Sequence, residues 1–247
     1  MCGRRIVEEV LRRHPGRVES MVYAAGGREV ADDLESLAAP HGGSTGDGST
    51  GDGSKAGAAP LAPEILMLSP ALFREIDPVG VEPPLAVVRF DPPPPWDAER
   101  ERRGLTLFLP LGDPENVGAA IRSALAFEVD RVVLLAEAAH PFLPRAIRAA
   151  AGACFDVVLR AGPPLDELAA AVPGGFDLCV LDRDGEPLDG IDPAPDRGLL
   201  VGEEGRGAPA WPELRRVSIP ISARVESLNA AVAVGIALWE LRRARSA

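Results

Sequence analysis

The sequence predicts an α/β protein with a mostly parallel sheet in its C-terminal domain, which a small α/β domain precedes. Three observations support this fold class. From Leu105 onward, short apolar runs of strand length alternate with segments of helical periodicity, which is typical of a parallel sheet covered by helices. Four consecutive prolines between Asp91 and Trp96 separate this region from a shorter alternation before it. Hydrophobic residues form 46% of the 247-residue chain, which is enough for a core.

Residues 1–90 predict the small α/β domain. Residues 3–13 fit an amphipathic helix with Ile6, Val7, Val10 and Leu11 on one face. Strand, helix, strand, helix and strand are expected to follow, at residues 18–24, 29–38, 64–68, 70–76 and 85–90. Residues 41–60 are rich in Gly and Ser and carry too few apolar side chains to offset the entropy of ordering, so they predict a disordered loop.

Residues 91–104 predict a stiff, Pro-rich linker, and residues 105–247 predict the second domain. Strands are expected at 106–111, 131–135, 156–159, 177–181, 198–202 and 217–221, and helices at 114–127, 142–151, 165–172 and 225–243. The last helix is apolar around its whole circumference from Ala230 to Trp239, which predicts burial on every side. One chain of this size readily covers one face of a helix, so burial of the other faces of this helix indicates a partner subunit.

Composition restricts the partners and the compartment. With 37 acidic and 26 basic residues, the formal charge of −11 opposes a general attraction to phosphate, so any RNA contact must be local. Candidate basic patches are Arg4, Arg5, Arg12 and Arg13, or Arg100, Arg102 and Arg103.

The three cysteines and three histidines lack metal-ligand spacing, which predicts reduced thiols and no metal site. Acids near the N-terminus and the lack of a long apolar run predict a soluble, cytoplasmic protein that does not enter a membrane.

Three segments place polar residues where the apolar pattern predicts strand ends and helix starts. They are Asn116 to Arg122 (NVGAAIR), Val201 to Gly207 (VGEEGRG) and Ile219 to Asn229 (IPISARVESLN). Taken singly, each segment also fits a purely structural role, such as a helix cap or a solvated turn. Because α/β folds keep their chemistry at the carboxyl ends of strands, the three together predict one site.

In order and spacing, these segments closely resemble the motifs of the SpoU-type RNA 2′-O-ribose methyltransferases of the SPOUT superfamily, over roughly residues 105–243. The resemblance implies a trefoil-knotted C-terminal domain that binds S-adenosylmethionine. It also implies a homodimer through that domain in which both subunits help to form each site, and a structured RNA substrate, either tRNA or rRNA. The first domain resembles the small RNA substrate-binding domain of many members.

The resemblance also implies roles for single residues. Gly202, Ile219 and Leu228 match positions that line the cofactor pocket. The functional positions of the family fall on Asn116, Arg122, Glu204, Ser227 and Asn229. We expect Arg122 to stabilise the forming alkoxide and to anchor a phosphate, because a guanidinium holds its protons too firmly to act as a base. Asn116 and Glu204 would orient Arg122 and the ribose, while Ser227 and Asn229 shape the loop beneath cofactor and substrate.

The sequence departs from the family pattern at one position, and we considered three alternative functions. Glu128 stands where the family usually has glycine, and glutamate accepts a left-handed backbone only at some cost. The first alternative is a non-catalytic dimeric RNA-binding protein that retains the fold, and the second is a base-methylating SPOUT enzyme. A nucleotide enzyme of the Rossmann type is disfavoured because no G-x-G-x-x-G follows the first strand of the second domain.

Overall fold

The computed structural model describes residues 3–25, 28–38, 62–77, 80, 83–191, 194, 196–203, 207, 209, 211 and 214–245. The chain divides into two compact units, Met1–Phe90 and Asp91–Ala247. The predicted loop at 41–60 lies outside the described residues. Among the described residues, no helix combines the length and the apolar composition needed to span a bilayer.

The first unit contains a three-stranded sheet with the order β2-β1-β3. Strand β1 (Val18–Ala24) pairs parallel with β2 (Glu64–Leu68) and antiparallel with β3 (Leu85–Val88). The helices are α1 (Arg4–Arg13), α2 (Arg28–Ala38) and α3 (Pro70–Ile76). Met21 and Val22 point to opposite faces of β1 and both are buried, so the central strand is covered on both sides.

The second unit contains six strands in the order β6-β5-β4-β8-β7-β9, and every pairing is parallel. The strands are β4 (Leu105–Leu109), β5 (Arg131–Leu134), β6 (Leu159–Ala161), β7 (Leu178–Pro187), β8 (Arg197–Val201) and β9 (Arg215–Ser218). The helices are α4 (Pro114–Ala126), α5 (Pro144–Ala150), α6 (Leu168–Ala171) and α7 (Ala230–Arg245). The predicted α/β class and parallel sheet are therefore confirmed, while the knot stays a prediction.

Buried side chains of neighbouring strands form the core of this unit. Phe108 of β4 pairs in register with Val133 of β5 and Leu200 of β8, and all three are fully buried in one cluster. Helices α4 and α5 approach closely because Gly118 has no side chain: a Cβ atom there would lie 2.2 Å from the backbone oxygen of Ala146. This close contact fixes α4 against α5.

Several element boundaries differ from the prediction for identifiable reasons. The strand expected at 156–159 begins at Leu159, because a 3-10 turn at Ala153–Phe155 follows the left-handed end of α5. Strand β9 lies at 215–218 instead of 217–221, since Pro220 has no backbone N–H for a sheet hydrogen bond. The last helix begins at Ala230 instead of residue 225, because Asn229 caps it.

Part of the Pro-rich segment at 91–104 packs on the second sheet. The backbone N–H of Trp96 donates to the Ala161 oxygen at 2.8 Å, and that of Ala161 donates to the Pro94 oxygen at 2.8 Å. The Trp96 ring packs edge-on against Phe108, with ring centroids 5.0 Å apart. These contacts cover the outer edge of β6, which protects that strand from pairing with another chain.

Candidate active site

A pocket of about 680 Å³ opens at the carboxyl end of β8 and beside the middle of β7 in the second unit. Its wall combines the first turn of α4, residues 181–184 within β7, the residues after β8 and the segment that leads into α7. The lining residues are Asn116, Leu181, Asp182, Arg183, Asp184, Val201, Gly202, Glu203, Gly207, Ile219, Ile221, Glu226, Ser227, Leu228, Asn229, Ala230 and Ala233. All three segments singled out from the sequence contribute to this list.

A bulge in β7 forms one wall of the pocket. Leu181 and Glu186 both pair with Val217 of β9, so residues 182–185 leave the ladder between them. Gly185 allows this close approach, because a Cβ atom there would lie 2.6 Å from the backbone of Val217. The Ser218 hydroxyl donates a 2.8 Å hydrogen bond to the Gly185 oxygen and fixes the bulge.

The bulge places charged residues in the pocket that sequence reasoning missed. Asp182 forms an ion pair with Arg216, whose guanidinium also donates to the Pro209 oxygen at 2.6 Å. Arg183 and Asp184 form a more exposed pair with 3.4 Å between Nε and Oδ1. The available signal was the polar run at 182–184 directly after an apolar strand, the same signal that marked the other segments.

Two asparagines join the first and third segments. The side-chain Nδ2 of Asn229 donates a 2.9 Å hydrogen bond to Oδ1 of Asn116. The Oδ1 atom of Asn229 accepts from the backbone N–H groups of Ala231 and Val232, at 3.0 and 3.2 Å, and so caps α7. The start of α4 follows the sequence pattern of cap and proline, with Asp113 Oδ1 accepting from Glu115 N–H at 2.8 Å.

Most of the predicted site residues meet in this pocket. Its lining includes the predicted cofactor positions Gly202, Ile219 and Leu228 and the predicted functional positions Asn116, Ser227 and Asn229.

Of the other two predicted positions, Arg122 is described outside the lining, and Glu204 is not among the described residues. Arg122 is exposed on α4, since it lies six positions after Asn116, about 1.7 turns further on, and so on another face of the helix. Glu203, the neighbour of Glu204, lines the pocket and exchanges two backbone hydrogen bonds of 2.8 Å with Gly207.

The chemistry of the lining is partly apolar and partly acidic. Leu181, Val201, Ile219 and Leu228 supply apolar surface, and the volume is typical of a small-molecule site. The titratable side chains are four carboxylates (Asp182, Asp184, Glu203 and Glu226) against one guanidinium, Arg183. Such a wall attracts a cationic group and repels a phosphate. Within the part of the chain that the structure describes, no cluster of side chains is suited to a metal ion.

The two candidate basic patches are largely neutralised. Arg4, Arg12 and Arg13 form ion pairs with Glu8 or Glu9 on the same helix. Three of the four arginines of this patch are thus paired with carboxylates, while Arg5 is exposed.

The arginines of the second candidate patch also have partners. Arg100 and Arg103 pair with Asp97 and Asp196, and Arg102 donates to the Gly174 oxygen. The RNA-binding patch therefore stays a prediction.

Comparison with known families shows to which family the domain that contains this pocket belongs. The model of the SpoU rRNA Methylase family matches residues 106–239, more than half of the chain. The chain belongs to the SpoU rRNA methylase family. Each of the pocket segments described above lies within the matched residues, so the pocket is part of the SpoU domain itself.

Curated relatives agree with this assignment. The SpoU chain is 42% identical over 181 residues to the ribosomal RNA small subunit methyltransferase G 2 of Syntrophobacter fumaroxidans, across 72% of this chain and 35% of the relative. It is 34% identical over 175 residues to an uncharacterized tRNA/rRNA methyltransferase of Synechocystis, across 68% of this chain and 62% of that protein. The chain thus spans only part of the length of the curated relatives it matches.

Solved structures share the fold. The SpoU methyltransferase AviRb from Streptomyces viridochromogenes superposes with a TM-score of 0.68 at 24% identity, across 98% of this chain and 88% of AviRb. The structure of AviRb in complex with the cofactor AdoMet gives a TM-score of 0.67 at 23% identity, with the same coverage. Both units of the SpoU chain therefore fall within the region of likeness.

Proposed function

We propose that this protein transfers a methyl group from S-adenosylmethionine to a ribose 2′-hydroxyl of a structured RNA, either a tRNA or an rRNA. Membership of the SpoU family supports methyl transfer, and the names of the relatives refer to rRNA and tRNA methyltransferases. The observation that carries the proposal is the convergence of three motif segments on one pocket, with Asn229 hydrogen-bonded to Asn116 in its wall.

The pocket fits the proposed cofactor. The apolar side chains of Ile219 and Leu228 provide a surface for an adenosyl group, and Gly202 lets the backbone come close to a ligand. The carboxylates of the lining favour a positively charged sulfonium over a neutral ligand. When bound, S-adenosylmethionine supplies an electrophilic methyl group on sulfur.

The residues of the chain orient and activate the ribose. The 2′ oxygen loses its proton to an RNA phosphate or to water and forms a bond to the methyl carbon, while the carbon–sulfur bond breaks and its electron pair stays on sulfur. Arg122 stabilises the negative charge on the 2′ oxygen and anchors a neighbouring phosphate. Asn116 and Glu204 orient Arg122 and the ribose, and Ser227 and Asn229 shape the loop beneath them.

A homodimer reconciles this role with the position of Arg122, because one subunit would then supply Arg122 to the pocket of the other. The support is an apolar face of α7 that the single chain leaves exposed: Val232 is 52%, Ile236 37% and Trp239 52% exposed. On the other side of the helix, Val234 and Leu238 are fully buried. The helix that the sequence predicted to be buried all round is thus covered on one side, and a second subunit would cover the rest.

The dimer is tested by sedimentation of a Trp239→Glu variant. A charge in the proposed interface should convert dimers to monomers and abolish methyl transfer together. Leu72→Glu, which changes an equally exposed apolar residue in the first unit, serves as the matched control and should stay dimeric. A wild-type protein that sediments as a monomer contradicts the homodimer.

The reaction is tested by mapping 2′-O-methyl groups in RNA from cells with and without the gene, followed by methylation of that RNA in vitro. The purified protein should restore the missing methyl group, and a 2′-deoxy nucleotide at the target should abolish transfer, since only the ribose carries that hydroxyl. Transfer that survives the 2′-deoxy substitution identifies a base methyltransferase. RNA binding without transfer identifies a non-catalytic protein.

A further inference from the structure

Most described arginines of the second unit already have a partner. Their guanidinium groups bind a carboxylate or another side-chain or backbone oxygen. Within the described part of this unit, the guanidinium groups without such a partner belong to Arg122, Arg145, Arg148 and Arg224. In a chain with a formal charge of −11, these four are the arginines of the described part of the second unit that can meet an external anion without breaking an existing interaction.

Arg224 is the one of these four that stands between lining residues of the pocket along the chain, whereas Arg122 ends its segment and lies on another face of α4. The residues on either side of Arg224 that line the pocket are Ile221 and Glu226. A tight turn holds it: the Val225 N–H donates to the Ser222 oxygen at 3.2 Å, and the Arg224 N–H donates to the Ser222 hydroxyl oxygen at 3.3 Å. The backbone of Arg224 is thus fixed at the rim, while its side chain is exposed to solvent.

The charge of the pocket makes a cation at this rim necessary for an RNA ligand. Among the described lining residues, an approaching phosphate meets four carboxylates and one guanidinium; Asp182 is paired with Arg216, and Arg183 is paired with Asp184. Salt screens charges beyond about 8 Å at physiological ionic strength, so exposed arginines far from the rim cannot offset this repulsion. A cation on the rim itself can do so.

We propose that Arg224 binds a backbone phosphate of the RNA next to the target nucleotide. A guanidinium presents a planar set of N–H donors that matches two phosphate oxygens, which positions the strand as well as attracting it. Arg224 is therefore a substrate-binding residue, and it takes no part in binding the cofactor. This inference rests on the proposed function, since it assigns a contact to the same RNA substrate.

The test compares Arg224→Gln with the wild type in filter binding of labelled total RNA from cells that lack the gene, over a range of salt concentrations. Loss of one phosphate contact should reduce the slope of log K against log salt by about 0.7–0.9 and weaken binding roughly tenfold. Arg224→Lys keeps the charge and should retain the slope. Calorimetric titration with S-adenosylmethionine should give the same affinity for both variants and the wild type.

Arg148→Gln is the matched control, because it also removes an exposed arginine without a partner but lies on α5, outside the pocket segment. It should leave the slope unchanged. A wild-type protein that binds RNA and shows the same slope as Arg224→Gln overturns this inference and leaves the proposed function standing. An equal reduction in Arg148→Gln also overturns it, whereas a wild-type protein that neither binds nor methylates the RNA overturns the proposed function as well.

Discussion

Asn229 Nδ2 donates a hydrogen bond of 2.9 Å to Asn116 Oδ1, across 113 positions of the chain. The same Asn229 caps α7 through its Oδ1 atom, and Asn116 lies in the first turn of α4. One side chain thus connects the beginnings of two helices at the wall of the pocket.

This double role gives a first prediction. Asn229→Ala should lower the free energy of unfolding by about 1–2 kcal/mol through loss of the cap. Asn229→Ser retains a capping oxygen but is too short to reach Asn116, so it should keep most of that stability. In a double-mutant cycle of Asn229→Ala with Asn116→Ala, measured by urea unfolding, we expect a coupling of about 1 kcal/mol. Strictly additive losses would show that the hydrogen bond contributes nothing.

The bulge in β7 gives a second prediction. In Gly185→Ala the new Cβ atom would lie 2.6 Å from the backbone of Val217, so the bulge must shift. We expect calorimetry to show an affinity for S-adenosylmethionine reduced by roughly tenfold or more, because residues 182–184 form part of the pocket wall. Gly174→Ala is the control, since a Cβ atom there meets nothing within 4 Å. Unchanged affinity in Gly185→Ala would mean that the bulge does not shape the binding site.

Arg122 gives a third prediction, which separates turnover from cofactor binding. Arg122→Lys should reduce kcat by about a hundredfold or more, because an ammonium cannot reproduce the planar donor set of the guanidinium. The affinity for S-adenosylmethionine should stay the same, since we place Arg122 at the ribose 2′ oxygen and a phosphate of the RNA and not against the cofactor. Single-turnover kinetics with the mapped RNA provide the measurement. Near-normal turnover would remove Arg122 from the mechanism.

Two residues with left-handed backbone give a fourth prediction. Glu128 has a φ of 55° and Ala151 a φ of 49°, and residues with a Cβ atom adopt this region at a cost. Ala151→Gly should therefore raise the free energy of unfolding by about 0.5–1 kcal/mol. At Glu128 the gain should be smaller, because glycine there also removes the 2.9 Å ion pair with Arg242.

The matched control for this pair is Ala126→Gly, an exposed position with ordinary helical geometry at the end of α4. It should lose about 0.5–1 kcal/mol in the same urea titration. If Ala151→Gly destabilises the protein as much as Ala126→Gly does, the left-handed position carries no strain.

Two buried thiols give the last prediction. Burial raises the pKa of Cys154 and of Cys179 to about 12, from an ordinary value of 9.0. Both should therefore resist alkylation by iodoacetamide at about pH 8 in the native protein and react once it is unfolded in denaturant. Because the unfolded thiols ionise first, their contribution to stability is complete below about pH 9 and is lost as the pH rises towards 12. Rapid native labelling of either peptide, measured by mass spectrometry, would contradict this.

Local sequence patterns were sufficient to predict many of the strands and helices and part of the candidate site. Strand β1 and helix α3 have the predicted bounds, and the cap and proline at Asp113 and Pro114 begin α4 as expected. The meeting of the three segments was also predictable, since parallel strands present their carboxyl ends at one edge of a sheet. Periodicity, caps and prolines act over a few residues, so a single sequence contains them in full.

Long-range pairing settled the rest. The bulge at 182–185 exists because the register between β7 and β9 shifts between Leu181 and Glu186. The segment from Pro94 to Trp96 lies along β6 through backbone hydrogen bonds, which do not depend on the side chains. The exposed position of Arg122 and the half-covered α7 likewise depend on which surfaces of the chain meet. Backbone pairing and packing between distant segments leave no periodic signal in the amino-acid order, and they emerge only when the chain is folded.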